Sequence, residues 1–323
     1  MSIQPIFIFS SPRAGSTLLQ RVISAHAGVA SASEPWVLLP QLNALRRGAT
    51  RSDYPHDMAV SALADFCRTM PGGVADYRRE LREFVLRLYE RSAGPGASFF
   101  VDKTPPYYLI AEEILDLFPD ARFVFLWRSP LSIMASIIDT WQEGRWHPTR
   151  YSDALFVGLP RLTSAYQSHA DTSFAVRYED LVAGGTPDAW PALMRYLGIP
   201  FEPQALERFR EVPLNGRMGD RSSAAYPALT AEPTAKWQRT LANPLRKEWG
   251  RRYLRWLGAD RLAVMGYELE KLLGELDAAP RSSRGLGTDT VRLCEALALE
   301  PVRALARRAG VGRAGVPLTL LRA

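Results

Sequence analysis

Cysteine is nearly missing from this chain: Cys67 and Cys294 are the only two in 323 residues. Lying far apart, they supply neither a disulfide framework nor the paired spacing of a structural zinc site, so a reducing cytosol is the expected setting. Histidine is almost as scarce. His26, His56, His147 and His169 are scattered outside any recognisable motif, and each is expected at the surface or as a cap rather than as a catalytic base. No segment reaches the roughly 18 apolar residues of a membrane span. The apolar run at residues 6–9 is short, follows no basic stretch and is succeeded at once by Ser10-Ser11-Pro12, which reads as a buried strand and not a signal peptide. A soluble, cytoplasmic protein is expected.

Charge of one sign is in only modest excess. Forty Lys+Arg against 34 Asp+Glu leave a net charge of +6, which favours an anionic partner without saying what kind. Arginines such as Arg281, Arg284, Arg303, Arg307, Arg308 and Arg313 raise the alternative of a nucleic-acid-associated protein. Aromatics do not alternate with them and no nucleic-acid module is recognisable, so nucleic acid is not expected as a partner. Apolar residues make up 47% and charged residues 23%, the composition of a globular protein and neither a disordered chain nor a coiled coil.

Residues 5–10 form a continuous apolar run, and residues 17–25 follow with helical spacing of Leu18, Leu19, Val22 and Ile23. Strand, loop and helix are predicted in that order. Further β-rich runs at 99–101, 122–127 and 172–176 alternate with helical patterns at 76–91, 109–118, 131–140 and 152–169. This alternation predicts an α/β fold, a parallel sheet covered by helices on both faces, with ligands bound beyond the carboxyl ends of the strands. Residues 189–197 and 203–210 read as helices, 212–234 as a long irregular loop, and 247–257 with 260–273 as a final helical pair. From 277 to 287 the chain turns rich in Pro, Ser, Arg and Gly and reads as a linker before an Arg-rich amphipathic tail.

The sharpest chemical signal is Ser11-Pro12-Arg13-Ala14-Gly15-Ser16-Thr17. A small-residue turn between strand and helix points backbone N–H groups at an anion on the helix N-terminus. A triphosphate loop would carry Lys directly before the hydroxyl residue. That Lys is missing, and Arg13 stands two residues before Gly15, so the loop suits a shorter phosphate chain braced from the side. A Gly-containing turn capped by Ser16 is the alternative. Arg128 ends the run 122–127 and Ser136 lies in the next helix; taken singly, they read as a strand-end salt bridge and a neutral helix residue.

These two elements resemble the sulfotransferases that use 3′-phosphoadenosine-5′-phosphosulfate, whose phosphosulfate loop has the form P-[RK]-x-G-[ST]-[ST]. The resemblance runs from about Ile3 to Leu273. It implies a P-loop-like sulfotransferase fold, a catalytic domain over 1–276 with the linker and tail over 277–323, that phosphosulfate as donor, and no metal. It implies that Arg13, Ala14, Gly15, Ser16 and Thr17 hold the phosphosulfate, and that Arg128 and Ser136 hold the 3′-phosphate. Asp102-Lys103-Thr104-Pro105 resembles the segment whose Lys faces the sulfuryl group. Arg177-Tyr178-Glu179-Asp180-Leu181 resembles a segment near the adenine, which makes Tyr178 a cofactor contact. Lys236-Trp237 resembles the closing segment, with Ser222 or Ser223 upstream.

One departure bears on the base. Where a branch of the family has His two residues after the Lys, this chain has Pro105. Glu34, in Ala32-Ser33-Glu34-Pro35-Trp36, lies where tyrosylprotein-type and related bacterial members place a catalytic Glu, so the resemblance assigns it the base role beside Lys103 and Arg13. A carboxylate ahead of a helix at 37–42 is the alternative. The expected acceptor is a small molecule, a glycan or a carrier-bound chain, and a homodimer is compatible with the tail. Trp36, Trp141, Trp146 and Tyr151 fit an acceptor cleft or the core, with at least two expected in the core. A nucleotide-dependent kinase is the rival reading, requiring a Lys beside Ser16 and a divalent cation.

Overall fold

Five strands, β1 (Gln4–Ser10), β2 (Val29–Ser31), β3 (Phe99–Asp102), β4 (Arg122–Trp127) and β5 (Ser173–Arg177), pair in parallel in the order β2-β3-β1-β4-β5. They belong to a computed structural model that describes residues 3–182, 188–214, 216, 218 and 232–308. The continuous apolar runs exist because both faces of the central strands are covered. Phe7 and Phe9 of β1 stack with Phe123 of β4 at 5.8 and 6.0 Å on one face, while Ile6, Ile8, Val124 and Leu126 form an aliphatic layer on the other.

The helices are α1 (Ser16–Ile23), α2 (Leu38–Asn43), α3 (His56–Cys67), α4 (Val74–Ala93), α5 (Ala111–Leu117), α6 (Pro130–Trp141), α7 (Leu159–Ser168), α8 (Tyr178–Val182), α9 (Ala189–Leu197), α10 (Ala205–Arg208), α11 (Glu232–Ala235), α12 (Trp237–Thr240), α13 (Pro244–Leu257), α14 (Ala259–Val264), α15 (Leu269–Ala278) and α16 (Leu286–Arg308). Leu19, Val22 and Ile23 of α1 and Leu193 and Leu197 of α9 cover the aliphatic face. Side chains of α4, α6 and α13 cover the aromatic one. The strand order turns about β1: the chain moves outward to β2, returns to β3, then crosses to β4 and β5. A crevice therefore opens at the carboxyl end of β1, flanked by the ends of β3 and β4.

Three expectations about the elements need correction. The final helical pair is three helices, because the chain breaks between α14 and α15 at Gly266, with φ +81°, a conformation that a side chain would resist. The expected helix at 152–169 begins as a π-helical turn, Ala154–Gly158, before α7. The connection read as a linker narrows to residues 279–285, since α15 reaches Ala278 and α16 starts at Leu286.

The first turn of α16 is pinned. Asp289, fully buried, accepts from Arg246 Nε at 2.7 Å and from Asn243 Nδ2 at 3.0 Å, while Arg246 also donates to the carbonyl of Gly144. Removing one partner of a buried ion pair leaves the other uncompensated, at about 3–5 kcal/mol. Asp289→Ala is thus expected to free α16 and to speed limited proteolysis within 279–285. Cleavage at the wild-type rate would show that the helix docks without this pair.

Candidate active site

The loop between β1 and α1 is built by backbone conformation. Gly15 precedes α1 with φ +94°, a left-handed geometry that favours glycine. A β-carbon there would meet the Tyr178 ring at 2.3 Å, so the absent side chain also lets α8 close on the loop. Arg13 takes φ +68°, uncommon for a residue with a side chain and a mark of a constrained site. The first helical bonds run from the Leu18 and Leu19 N–H groups to the carbonyl of Gly15. The preceding N–H groups of Ser16 and Thr17 belong to the orphan set at a helix start, where the dipole favours an anion. Ser16 lies inside the helix and Gly15 occupies the cap, with no side-chain cap bond; the turn capped by Ser16 is thereby excluded.

Two guanidinium groups converge here. Arg13 Nε donates to Ser136 Oγ at 3.1 Å, which brings α6 to the loop. Arg128 donates to the carbonyl of Arg13 at 2.8 Å and lies over the Tyr178 ring, 4.5 Å from its centroid. Burial pushes the Arg128 pKa down; Tyr178 and Glu179 oppose that, and the positive charge of Arg13 adds to it. Two cations that disfavour each other, beside helix N–H groups and a hydroxyl, form a donor set suited to a phosphate-bearing anion. Glu179 holds the backbone of this corner, accepting from the Ser129 N–H at 3.0 Å and from Tyr267 Oη at 2.6 Å.

At the end of β3, one strand away, Lys103 Nζ donates to Glu34 Oε1 at 2.8 Å, with only 1% of the lysine side chain exposed. Trp36 Nε1 donates to the other oxygen, Oε2, at 3.2 Å, so both carboxylate oxygens are oriented. Trp36 itself has φ +56°, costly for so bulky a residue. From α1, the buried Gln20 donates to Ser31 Oγ, the Ala32 carbonyl and the Ser33 carbonyl. The helix that starts at the Arg13–Gly15 loop therefore also fixes the approach to Glu34. Ser33 Oγ donates to the carbonyl of Met218, which brings Met218 beside this corner.

Asp102 sits beneath. It is fully buried and accepts from Tyr89 Oη at 2.6 Å, Tyr107 Oη at 2.9 Å and Thr104 Oγ1 at 3.1 Å. Burial pushes its pKa up to about 6 against the opposing pull of those hydroxyls and Lys103. An acid whose folded value exceeds that of the unfolded chain, near about 4, holds its proton longer when folded; this carboxylate therefore costs stability as pH rises through that window.

Lys236 and Trp237 open α12, which is tied to α6 by Thr240 Oγ1 donating to Asp139 at 2.8 Å. Trp237 is buried. They thus lie along the helix that carries Ser136. Ser222 and Ser223 fall outside the described residues. Of the four aromatics, only Trp146 is core, packed edge-on to Trp249 at 5.9 Å; the expectation of at least two is corrected. Trp36, Trp141 and Tyr151 are exposed, and the last two pair at 5.3 Å. His26 departs from the surface expectation: it is buried and pairs with Glu202 at 3.6 Å. Among the described residues no three His, Cys, Asp or Glu side chains gather as a metal site. Gln20 carries no motif in the sequence, and Asp102 and Glu179 stand inside the quoted segments without a role of their own; Tyr89, Ser129 and Tyr267, which bond the two acids, come from other elements.

Residues 5–203 match the model of a family described as "Sulfotransferase family". Nodulation protein NoeE of Sinorhizobium fredii is 27% identical over 291 residues, covering 81% of this chain and 65% of that protein. Protein-tyrosine sulfotransferase 1 of Danio rerio is 26% identical over 208 residues, covering 62% of this chain and 55% of that protein. The chain thus spans less than two thirds of either relative. A solved sulfotransferase domain from the curacin biosynthetic pathway shares the fold, with a TM-score of 0.51 and 21% identity, over 82% of this chain and 98% of that one.

Proposed function

The chain belongs to the sulfotransferase family, and from that premise we propose that it moves a sulfuryl group from 3′-phosphoadenosine-5′-phosphosulfate to an acceptor hydroxyl or amine. The observation that carries this reading is the convergence of Arg13, Arg128, Ser136 and the start of α1 on one side of the crevice. The Lys103–Glu34 pair on the other side completes it. The loop N–H groups of Gly15, Ser16 and Thr17 with Arg13 would hold the phosphosulfate end. Arg128 and Ser136 would hold the 3′-phosphate, and Tyr178 would lie toward the adenine.

When bound, the donor supplies the sulfuryl group for in-line displacement by the acceptor, with adenosine 3′,5′-bisphosphate as the leaving product. The chain's own work is alignment and charge placement. Glu34 takes the acceptor proton on its carboxylate, oriented by Trp36. Lys103 and Arg13 would face the negative charge that develops on the transferring group. A kinase is disfavoured by family membership and by the absence of Lys beside Ser16. The catalytic unit is proposed as residues 1–276, and the two free cysteines fit a reducing cytoplasm.

Acceptor class follows from transfer itself. Incubation with 35S-labelled donor and a library of phenols, glycans and carrier-bound hydroxyacyl chains, read by mass spectrometry, is expected to yield a product heavier by one sulfuryl group. Labelled phosphate transfer from ATP with no sulfated product would reject the proposal.

A further inference from the structure

Of the buried titratable groups that the proposed chemistry leaves unused, Asp102 is wired to the catalytic corner. Asp102 accepts from three hydroxyls, two of which also serve as acceptors. Thr104 Oγ1 takes the Trp36 N–H at 3.3 Å while donating to Asp102 Oδ1. Tyr107 Oη takes the Leu38 N–H at 3.4 Å while donating to Asp102 Oδ2. Trp36 and Leu38 lie just beyond Glu34, so two relays run from one carboxylate to the backbone that carries the base. The residue after Asp102 is Lys103, which binds Glu34 directly.

Direction matters in these relays. A hydroxyl has one hydrogen and two lone pairs, and an ionised carboxylate can only accept. Asp102 as a carboxylate therefore forces Thr104 and Tyr107 to aim their hydrogens inward and their lone pairs at the Trp36 and Leu38 N–H groups. An amide at this place would offer a donor to one of the two hydroxyls and scramble that order. The groups facing Asp102 are Tyr89 from α4, Tyr107 from the turn after β3, and Thr104 and Lys103 on its own segment. A buried acid that served packing alone would be better replaced by a neutral group, because its desolvation opposes folding. Trp36 sits in an unfavourable backbone region that something must hold.

We infer that Asp102 is a positioning residue for sulfuryl transfer: through the Thr104 and Tyr107 hydroxyls it holds the Glu34 segment so that the base meets Lys103. The inference rests on the reading of Glu34 as the base. It is tested with Thr104→Val, which keeps volume but breaks one relay, alongside Thr104→Ser, Tyr107→Phe, Asp102→Asn and the wild type. Thr104→Val is expected to lower kcat about tenfold, the worth of one hydrogen bond, with the Kd for adenosine 3′,5′-bisphosphate within about twofold. Amide exchange across residues 34–39 should rise about tenfold in the same variant. Thr104→Ser should restore both, Tyr107→Phe should follow Thr104→Val, and Asp102→Asn should exceed it in the same pattern.

Unchanged exchange in Thr104→Val, or a Thr104→Ser variant as impaired as Thr104→Val, would overturn the inference. So would a loss of bisphosphate affinity equal to the loss of kcat, which would mark a general structural defect. If Asp102→Asn does not fold, the Thr104 pair decides. A wild-type protein that transfers no sulfuryl group would overturn the functional reading instead, and the exchange comparison would still decide whether Asp102 holds the segment.

Discussion

Glu34→Gln is expected to lower the rate of sulfuryl transfer by about 10²–10⁴-fold, the usual worth of a positioned general base, while affinity for adenosine 3′,5′-bisphosphate stays within about threefold. Glutamine preserves the volume and an oxygen for Trp36 Nε1, but it cannot take the acceptor proton. The substitution also leaves Lys103, almost fully buried, without its 2.8 Å carboxylate partner, so some stability is lost with the charge pair. Adding Lys103→Met to Glu34→Gln replaces the broken pair by an apolar side chain of similar length, so thermal stability should return; turnover stays low in that variant because Lys103 is itself assigned to the reaction. Near-normal turnover in Glu34→Gln would remove Glu34 from the mechanism.

The second large effect concerns Arg128. Its guanidinium, held over Tyr178 and bonded to the Arg13 carbonyl, is assigned to the 3′-phosphate. Charge-assisted hydrogen bonds are worth about 1.5–3 kcal/mol. Arg128→Ala is therefore expected to weaken binding of adenosine 3′,5′-bisphosphate by about 10²-fold. Arg128→Lys should recover only part of that, since an ammonium keeps the charge but not the fork. Adenosine 5′-phosphosulfate, which lacks the 3′-phosphate, supplies the control. Its weaker binding should change by no more than about threefold. Equal losses for the two ligands would mean that Arg128 supports the loop and does not read the 3′-phosphate.

The parts of this molecule that were legible in the sequence are those whose cause is local. β1 and β4 are continuous apolar runs because both faces are buried, and the phosphate loop announces itself through small residues between a strand and a helix. β2 escaped because three residues, Val29–Ser31, carry no period. α3 escaped too, with only Val60 and Cys67 buried along its length. The break at Gly266 was hidden in an otherwise helical pattern.

The site divides in the same way. Arg13, Glu34, Lys103 and Arg128 stand at strand ends, where residue type and position speak together. Gln20, Tyr89 and Tyr107 act across 11, 13 and 5 residues of sequence, and only folding brings them to their acceptors. By sequence Trp36 fits an acceptor wall or the core, and in the structure its indole N–H orients the Glu34 carboxylate. Nothing in the spacing of a tryptophan two residues after a glutamate distinguishes those uses.

Titration calorimetry of the purified chain in a buffer without divalent cations tests the donor assignment most directly. Adenosine 3′,5′-bisphosphate should bind with one-to-one stoichiometry, and ATP with magnesium should bind far more weakly or not at all. Tight uptake of the magnesium nucleotide with no heat from the bisphosphate would contradict the assignment of Arg13 and Arg128 to the two ends of one doubly phosphorylated adenosine.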